Sequence, residues 1–582
     1  MSIFKDLWWF FRQERKAYIP GVILLAFVAM LELVPPFIVG RTVDYIVKGE
    51  LTRELIFQLM IILLVTAIVV YILRYLWRIM IFGASVRLAR LLRNQLYEHF
   101  TKMSPRFYQK KRVGDLMAHS TNDLQAVQQT AGAGVLTLVD SLMTGGFVLI
   151  AMATTISWKL TLICLIPMPF MALSTNYYGT LLHKTFHKAQ AAFSSLNDKV
   201  QESVNGIKVI KTFGQEKEDI KEFEKQSEDV VKKNVTVAKI DSLFDPTIGF
   251  IVGVSFFLAV SFGGYYVVQG ELTIGQLIAF TTYLGLLIWP MLAFGWLFNI
   301  VERGRASYDR VTNLLKEEVD IQDRTDAIST VPTGEITYDI KEFTYPTEKE
   351  SMLRDVRFSL PQGGTLGVVG KTGSGKTTLL KLLIREFDLS HGSISIGHRT
   401  INEYKIEYLR KAIGYVPQDH FLFSATIADN IAFACPEATF EDIVHAAKLA
   451  NIHEDIIGFT HGYDTVVGER GVSLSGGQKQ RISIARSLIM DPEVLILDDS
   501  LSAVDAKTEE NILHALKENR QGKTTIITSH RLSAIQHANI IIVMENGTIV
   551  QKGTHEQLME EEGWYKEMYH RQQLESLVEH GG

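Results

Sequence analysis

Apolar residues run in long blocks up to about residue 300 and in short bursts after it. Six blocks, near 18–40, 55–77, 132–156, 160–181, 247–268 and 274–297, hold few charges. Each supplies the ~20 residues that a helix needs to cross ~30 Å of hydrocarbon. The pattern predicts six membrane-spanning helices. Three connections are short: Thr42–Glu54, Ser157-Trp158-Lys159 and Gln269–Thr273. The others are long and cationic. Arg87, Arg90, Arg93, Lys102 and Arg106 lie between spans two and three, and Lys184, Lys188, Lys199, Lys208 and Lys211 between spans four and five. That bias puts both long connections and both termini in the cytoplasm.

Segment 183–242 mixes apolar and charged residues at helical spacing and contains no proline. The spans are therefore expected to continue into the cytosol as helices. A short crosswise helix is expected at each break, Gly114-Asp115 and Asn205-Gly206. Ahead of span one, Trp8-Trp9-Phe10-Phe11 is followed by Arg12, Arg15 and Lys16, without a small-residue cleavage site. This predicts an interfacial helix and not a signal peptide.

Past Leu315 the pattern becomes polar, and Pro332-Thr-Gly334 marks a linker. Strand-like runs at Thr365–Val369, Ile413–Val416 and Val494–Leu497 then alternate with helical stretches. The expectation is a helical transmembrane domain over 1–315, a linker over 316–333, and an α/β domain with a largely parallel sheet over 334–582. Composition narrows little beyond this. A net charge of −5 gives no footprint for nucleic acid, and the two cysteines, Cys164 and Cys435, offer neither a disulfide framework nor a metal pattern.

The chemistry sits in the second domain. Gly370-Lys371-Thr372-Gly373-Ser374-Gly375-Lys376-Thr377 follows one predicted strand and precedes a helical run that begins at Thr378. Glycines there let backbone N–H groups approach phosphate oxygens at a helix N-terminus. Lys376 would reach the β- and γ-phosphates, and the Thr377 hydroxyl would hold Mg²⁺. The strand Val494–Leu497 ends in Asp498, the magnesium-holding acid of such a domain, and Asp499 follows where a catalytic base would stand.

Two further segments carry a resemblance. Leu474-Ser475-Gly476-Gly477-Gln478 lies just ahead of the strand with the acids, and Tyr415-Val-Pro-Gln418 lies between it and the phosphate loop. Residues 335–560 thus resemble the nucleotide-binding domain of an ABC transporter. The whole chain resembles an exporter half-transporter of the type IV fold. The resemblance implies roles. Tyr345 would stack on adenine, Gln418 would sense magnesium and the attacking water, and His530 would be the switch histidine. Thr465–Gly471 would be the cross-contact loop and Ser502–Asp505 the D-loop. Ser475, Gly476, Gly477 and Gln478 would meet the ATP held by a second half-transporter chain, so the chain must dimerise.

The chain departs from the family at Asp499, where glutamate is usual, and at Ser500, where alanine or proline is usual. A shift of roughly 1 Å in a catalytic group can cost about 10²-fold in rate. With an intact signature, this resembles the degenerate-site half of heterodimeric bacterial multidrug exporters, such as a known Bacillus pair. Catalysis would involve Asp499, Gln418 and His530, and magnesium would be held by Thr377, Gln418 and Asp498. Alternatives remain open: a homodimer in which Asp499 serves as base, a lipid flippase or endogenous-compound exporter, and a membrane protein switched by ATP without pumping.

Within the spans, Glu32 and Asp140 are costly and are candidates to attract cationic amphiphiles. Phe37, Trp289, Phe294 and Trp296 could supply an apolar wall. Arg74 and Arg78 are expected to snorkel to the inner boundary.

Overall fold

The structure is a computed structural model that describes residues 2–346, 348–468 and 474–580. It forms two compact units, residues 1–102 with 111–317, and 103–110 with 318–582.

The first unit is helical. Among the described residues, five helical stretches are long and apolar enough to cross a membrane: Arg15–Lys48, Arg53–Lys102, Val113–Leu165, Glu216–Val268 and Ile274–Leu315. The fourth expected span, 160–181, falls across a turn. Ile166-Pro167 separates helix Trp158–Leu165 from helix Met168–Asn205, because Pro167 has no N–H to continue the ladder. Helices Met168–Asn205 and Glu216–Val268 pair along their length and are joined by the short helix Ile207–Phe213, as the break at Asn205-Gly206 suggested. The other break lies earlier than expected. The short helix there is Pro105–Lys110, and Gly114 sits inside the next helix, Val113–Ala118.

Helices Val34–Lys48 and Ile274–Leu286 touch backbone to backbone. A Cβ on Gly40 would lie 2.6 Å from the Gly275 carbonyl oxygen, so only glycine fits there. Asp44 closes the contact by accepting from Thr273 Oγ1 at 2.7 Å and from the Gly275 amide at 2.8 Å.

Among its described residues the second unit has ten strands: β1 Ile336–Phe343, β2 Leu353–Leu360, β3 Thr365–Gly370, β4 His391–Ile396, β5 Arg399–Thr400, β6 Ile413–Val416, β7 Val494–Asp498, β8 Thr524–Thr528, β9 Ile540–Glu545 and β10 Thr548–Gly553. Six form a sheet in the order β10-β9-β3-β8-β7-β6, parallel except for the β9–β10 pair. Strands β7 and β8 are buried along their whole length, as parallel strands covered on both faces must be. A separate antiparallel sheet, β2-β1-β4-β5, was not foreseen. Its strands alternate buried and exposed positions only in part, so the two-residue period is weak in sequence.

The segment expected to be a linker is packed in this unit. The Ile406 amide donates to Asp323 at 2.8 Å, and Ile328 exchanges backbone bonds with Glu403 and Lys405 at 2.8 and 3.0 Å.

Candidate nucleotide site

Strand β3 delivers the phosphate loop. Gly370, Gly373 and Gly375 take φ of 145°, 81° and 100°, a left-handed backbone that other residues rarely adopt. A Cβ on Gly370 would lie 2.1 Å from the Met544 carbonyl oxygen. Lys376 opens the following helix, and its Nζ donates to the carbonyls of Gly370 and Lys371 at 2.8 and 3.0 Å. Burial lowers its affinity for a proton, while the charges of Asp499 and Asp498 oppose that. Lys371 turns outward to pair with Glu545 at 3.1 Å. Thr372 and Gly373 are exposed at the crest, and Ser374 is buried, its hydroxyl without a hydrogen-bond partner among the described residues.

Parallel pairing of β7 with β8 sets the two acids. Asp498 is 2 % exposed and accepts from three hydroxyls. These are Thr528 Oγ1 at 2.8 Å, Tyr415 OH at 3.1 Å and Thr377 Oγ1 at 3.2 Å. Burial, then the nearby Asp498 charge, keeps the Tyr415 hydroxyl protonated well above the ordinary tyrosine range. Asp499 stands just past the strand at φ 48°. Aspartate enters this region more readily than most residues. Its amide is shared between the Thr528 carbonyl at 3.1 Å and Thr528 Oγ1 at 2.9 Å. Its carboxylate accepts from Gln418 Nε2 at 3.5 Å, at the limit of a hydrogen bond, and the His530 amide lies close enough to favour its charged form. Burial raises the Asp499 carboxyl above the usual carboxylate range, with the Asp498 charge adding to it and His530 and Lys376 opposing.

Tyr345 joins this group through its hydroxyl, 2.9 Å from Thr378 Oγ1. Its ring packs edge-on against Phe343 and Phe387, both at 5.1 Å. The phosphate loop, Thr377, Thr378, Tyr345, Gln418, Asp498, Asp499 and His530 therefore share one neighbourhood.

The signature is built elsewhere. Ser475 caps helix Gly476–Leu488 and accepts from the Gln478 amide at 3.2 Å. Gln478 Oε1 accepts from the Ser475 amide at 3.0 Å, and its Nε2 reaches Asp455 at 3.1 Å. Gly476 has room, whereas a Cβ on Gly477 would lie 3.0 Å from the Ala503 carbonyl oxygen. No hydrogen bond joins Ser475–Gln478 to the phosphate loop among the described residues. Of the expected cross-contact loop, Glu469, Arg470 and Gly471 lie outside the described residues.

Sequence reasoning gave no role to Thr528 or Gln480. Gln480 is fully buried and accepts from the Ala503 amide at 3.1 Å, tying the signature helix to the D-loop. A polar residue closing an apolar strand beside the acidic strand was the available signal for Thr528.

In the membrane unit the acids are not equivalent. Arg74 pairs with Glu32, across 42 residues of sequence. Arg78 lies over the Trp77 ring at 5.7 Å. Asp140 accepts from Thr144 Oγ1 at 3.2 Å and lies within electrostatic reach of Glu32 and Arg74. Phe37, Trp289 and Trp296 are exposed on this unit, and the Phe294 side chain lies outside the described ones.

Comparison with known proteins decides the family. Residues 18–291 match the ABC transporter transmembrane region, and residues 353–502 match the ABC transporter model. The multidrug resistance-like ATP-binding protein MdlA of Escherichia coli K12 is 49 % identical over 579 residues, covering 100 % of this chain and 98 % of that one. The chain belongs to the ABC transporters. The probable multidrug resistance ABC transporter ATP-binding/permease protein YheI of Bacillus subtilis is 46 % identical over 581 residues, covering 100 % of this chain and 99 % of that protein. The structure of a bacterial Atm1-family ABC exporter with ATP bound matches with a TM-score of 0.80 at 25 % identity, over 96 % of this chain and 98 % of the other. This ABC transporter chain thus has an exporter fold, a transmembrane domain and an ATP-hydrolysing domain that together make a translocase.

Proposed function

We propose that this chain exports amphipathic drugs, cationic ones among them, across the bacterial plasma membrane as the weakly hydrolysing half of a heterodimer. Both termini and both nucleotide domains face the cytoplasm in this reading. The names of the MdlA and YheI relatives support the substrate class. One observation carries the degenerate-site reading: the base position holds an aspartate, which Gln418 reaches only at 3.5 Å.

The residues fit magnesium. Thr377 and Asp498 present oxygens 3.2 Å apart, and Gln418 can add an amide oxygen. Mg²⁺ takes oxygen donors, keeps water, and needs only one or two carboxylates besides substrate phosphates. Held by these residues, the ion would supply positive charge to offset that of the ATP phosphates. The chain's own residues do the rest. The phosphate loop and Lys376 hold the β- and γ-phosphates, and Tyr345 supports adenine. Asp499, shorter by one methylene than glutamate, orients water poorly. Ser475 and Gly477 complete the partner's site, where most hydrolysis occurs. Nucleotide-domain closure then drives alternating access in the spans.

A second reading has support of its own. Burial raises the Asp499 carboxyl, which makes it a stronger base and favours a competent homodimer. The test is ATPase activity in lipid nanodiscs, for this chain alone and for the complex isolated from its source membrane. Slow turnover alone and drug-stimulated turnover in a complex with a second half-transporter support the proposal. Full drug-stimulated turnover by this chain alone overturns it.

A further inference from the structure

The C-terminal helix Trp564–His580 carries Gln572, whose carboxamide reaches the loop after β8. Its Nε2 donates to the His530 carbonyl at 2.7 Å, and its Oε1 accepts from the Leu532 amide at 2.9 Å. One side chain thus uses both ends of its amide on the residues that flank Arg531. Only a carboxamide side chain offers a neutral donor and acceptor side by side in this way.

Arg531 turns to other partners. Its Nη1 donates to the Val504 carbonyl and to Glu509 Oε2, each at 3.0 Å. Glu509 is 4 % exposed and also accepts from Ser533 Oγ at 3.3 Å. On the near side, the His530 amide lies close enough to the Asp499 carboxylate to favour its charged form. A line of neighbouring groups therefore runs from the C-terminal helix through Gln572 and the His530 backbone to Asp499. Arg531 branches from it to the D-loop.

We propose that Gln572 is a positioning residue for ATP hydrolysis. It anchors the His530 backbone at its carbonyl, so that the N–H of the same residue stays near Asp499 and its imidazole has one set presentation to the terminal phosphate. The loop needs such a clasp. Between β8 and β9 it holds only the short helical turn Leu532–Ala534, which cannot fix the peptide at 530 by itself. The proposal rests on Asp499 and His530 belonging to the ATP site, and it holds whether that site is weak or fully active.

The test uses the full chain in its native assembly in nanodiscs, with the partner's own phosphate-loop lysine replaced so that cleavage is read at this chain's site. If the assembly is a homodimer, ordinary turnover gives the same reading. Gln572→Met keeps length and apolar bulk but loses both hydrogen bonds. Gln572→Glu keeps the acceptor for Leu532 and loses the donor to His530. Both variants should cleave about 3–10-fold more slowly with KM for ATP within about twofold, as expected for a misplaced catalytic group. Backbone hydrogen exchange over 529–535 should quicken in Gln572→Met. Wild-type cleavage by Gln572→Met overturns the proposal. So does a variant that loses ATP binding and cleavage together with its melting temperature, because that marks a packing role. Failure of the weak-site reading would instead show as a fast wild-type site that still slows on losing Gln572.

Discussion

Two pairs of carboxylates lie in apolar surroundings, one at the end of β7 and one in the membrane unit, and in each pair the two acids are treated differently. At β7, Asp498 is saturated by three hydroxyls, while Asp499 has one long side-chain bond and the His530 amide nearby. In the membrane unit, Glu32 is neutralised by Arg74, while Asp140 has only a threonine hydroxyl. A buried acid without a counter-charge is expensive and persists where something else uses it. The contrast ties Asp498 and Glu32 firmly to their neighbours and leaves Asp499 and Asp140 loosely held.

The largest expected effect lies outside both pairs and sharpens the first. If hydrolysis depends on the signature more than on Asp499, Gly477→Ala should lower turnover of the assembled complex roughly 10²-fold, the scale of losing a preorganised phosphate donor. Its Cβ would press on the D-loop at 3.0 Å, so steady-state ATPase is the measurement. Unchanged turnover would place the signature outside the reaction.

The membrane pair should separate next. Asp140→Asn should reduce uptake of a cationic dye by inverted vesicles about threefold to tenfold more than uptake of a matched neutral dye, the scale of one partly desolvated charge. Glu32→Gln should reduce both dyes together and lower thermal stability, because it leaves Arg74 without its partner. Equal selectivity changes in the two variants would erase the distinction drawn between these acids.

Two smaller effects concern stability. The folded state holds the Asp499 carboxyl above its ordinary range, so it binds that proton at a pH where the unfolded chain has released it. Stability from this group is therefore lost as pH rises through the ordinary aspartate range and up to the raised value. Asp499→Asn should raise the melting temperature at neutral pH, and the gain should vanish below about pH 3, where aspartate is protonated in both states. Ser500 is 1 % exposed and its hydroxyl has no partner among the described residues. Ser500→Ala should stabilise by about 1 kcal/mol, the lower end of the cost of an unmade buried hydrogen bond. Differential scanning fluorimetry over a pH series reads both.

Which parts of this were legible in sequence follows from what carries them. The phosphate loop, the acid-ending strand and the signature are contiguous segments, and the backbone context they need is local. Strands β3, β6 and β7 were found for the same reason: each is a short apolar run bounded by turn residues. The Glu32–Arg74 pair was missed because a helix pattern shows two charges and not which helices meet. The packing of 316–333 was missed because a polar segment can still be fixed by backbone bonds, as Ile328 is. The Gln572 clasp joins groups 40 and 42 residues apart through backbone atoms, which leave no mark on residue type.

The central claim is that Asp499 contributes little to turnover while this chain's signature contributes much. Its most direct test is steady-state ATPase of the assembled complex carrying Asp499→Asn. The account predicts that most turnover survives, with drug stimulation intact. A loss on the order of 10²-fold, the scale of removing a working catalytic group, would contradict it and make Asp499 the base of an active site.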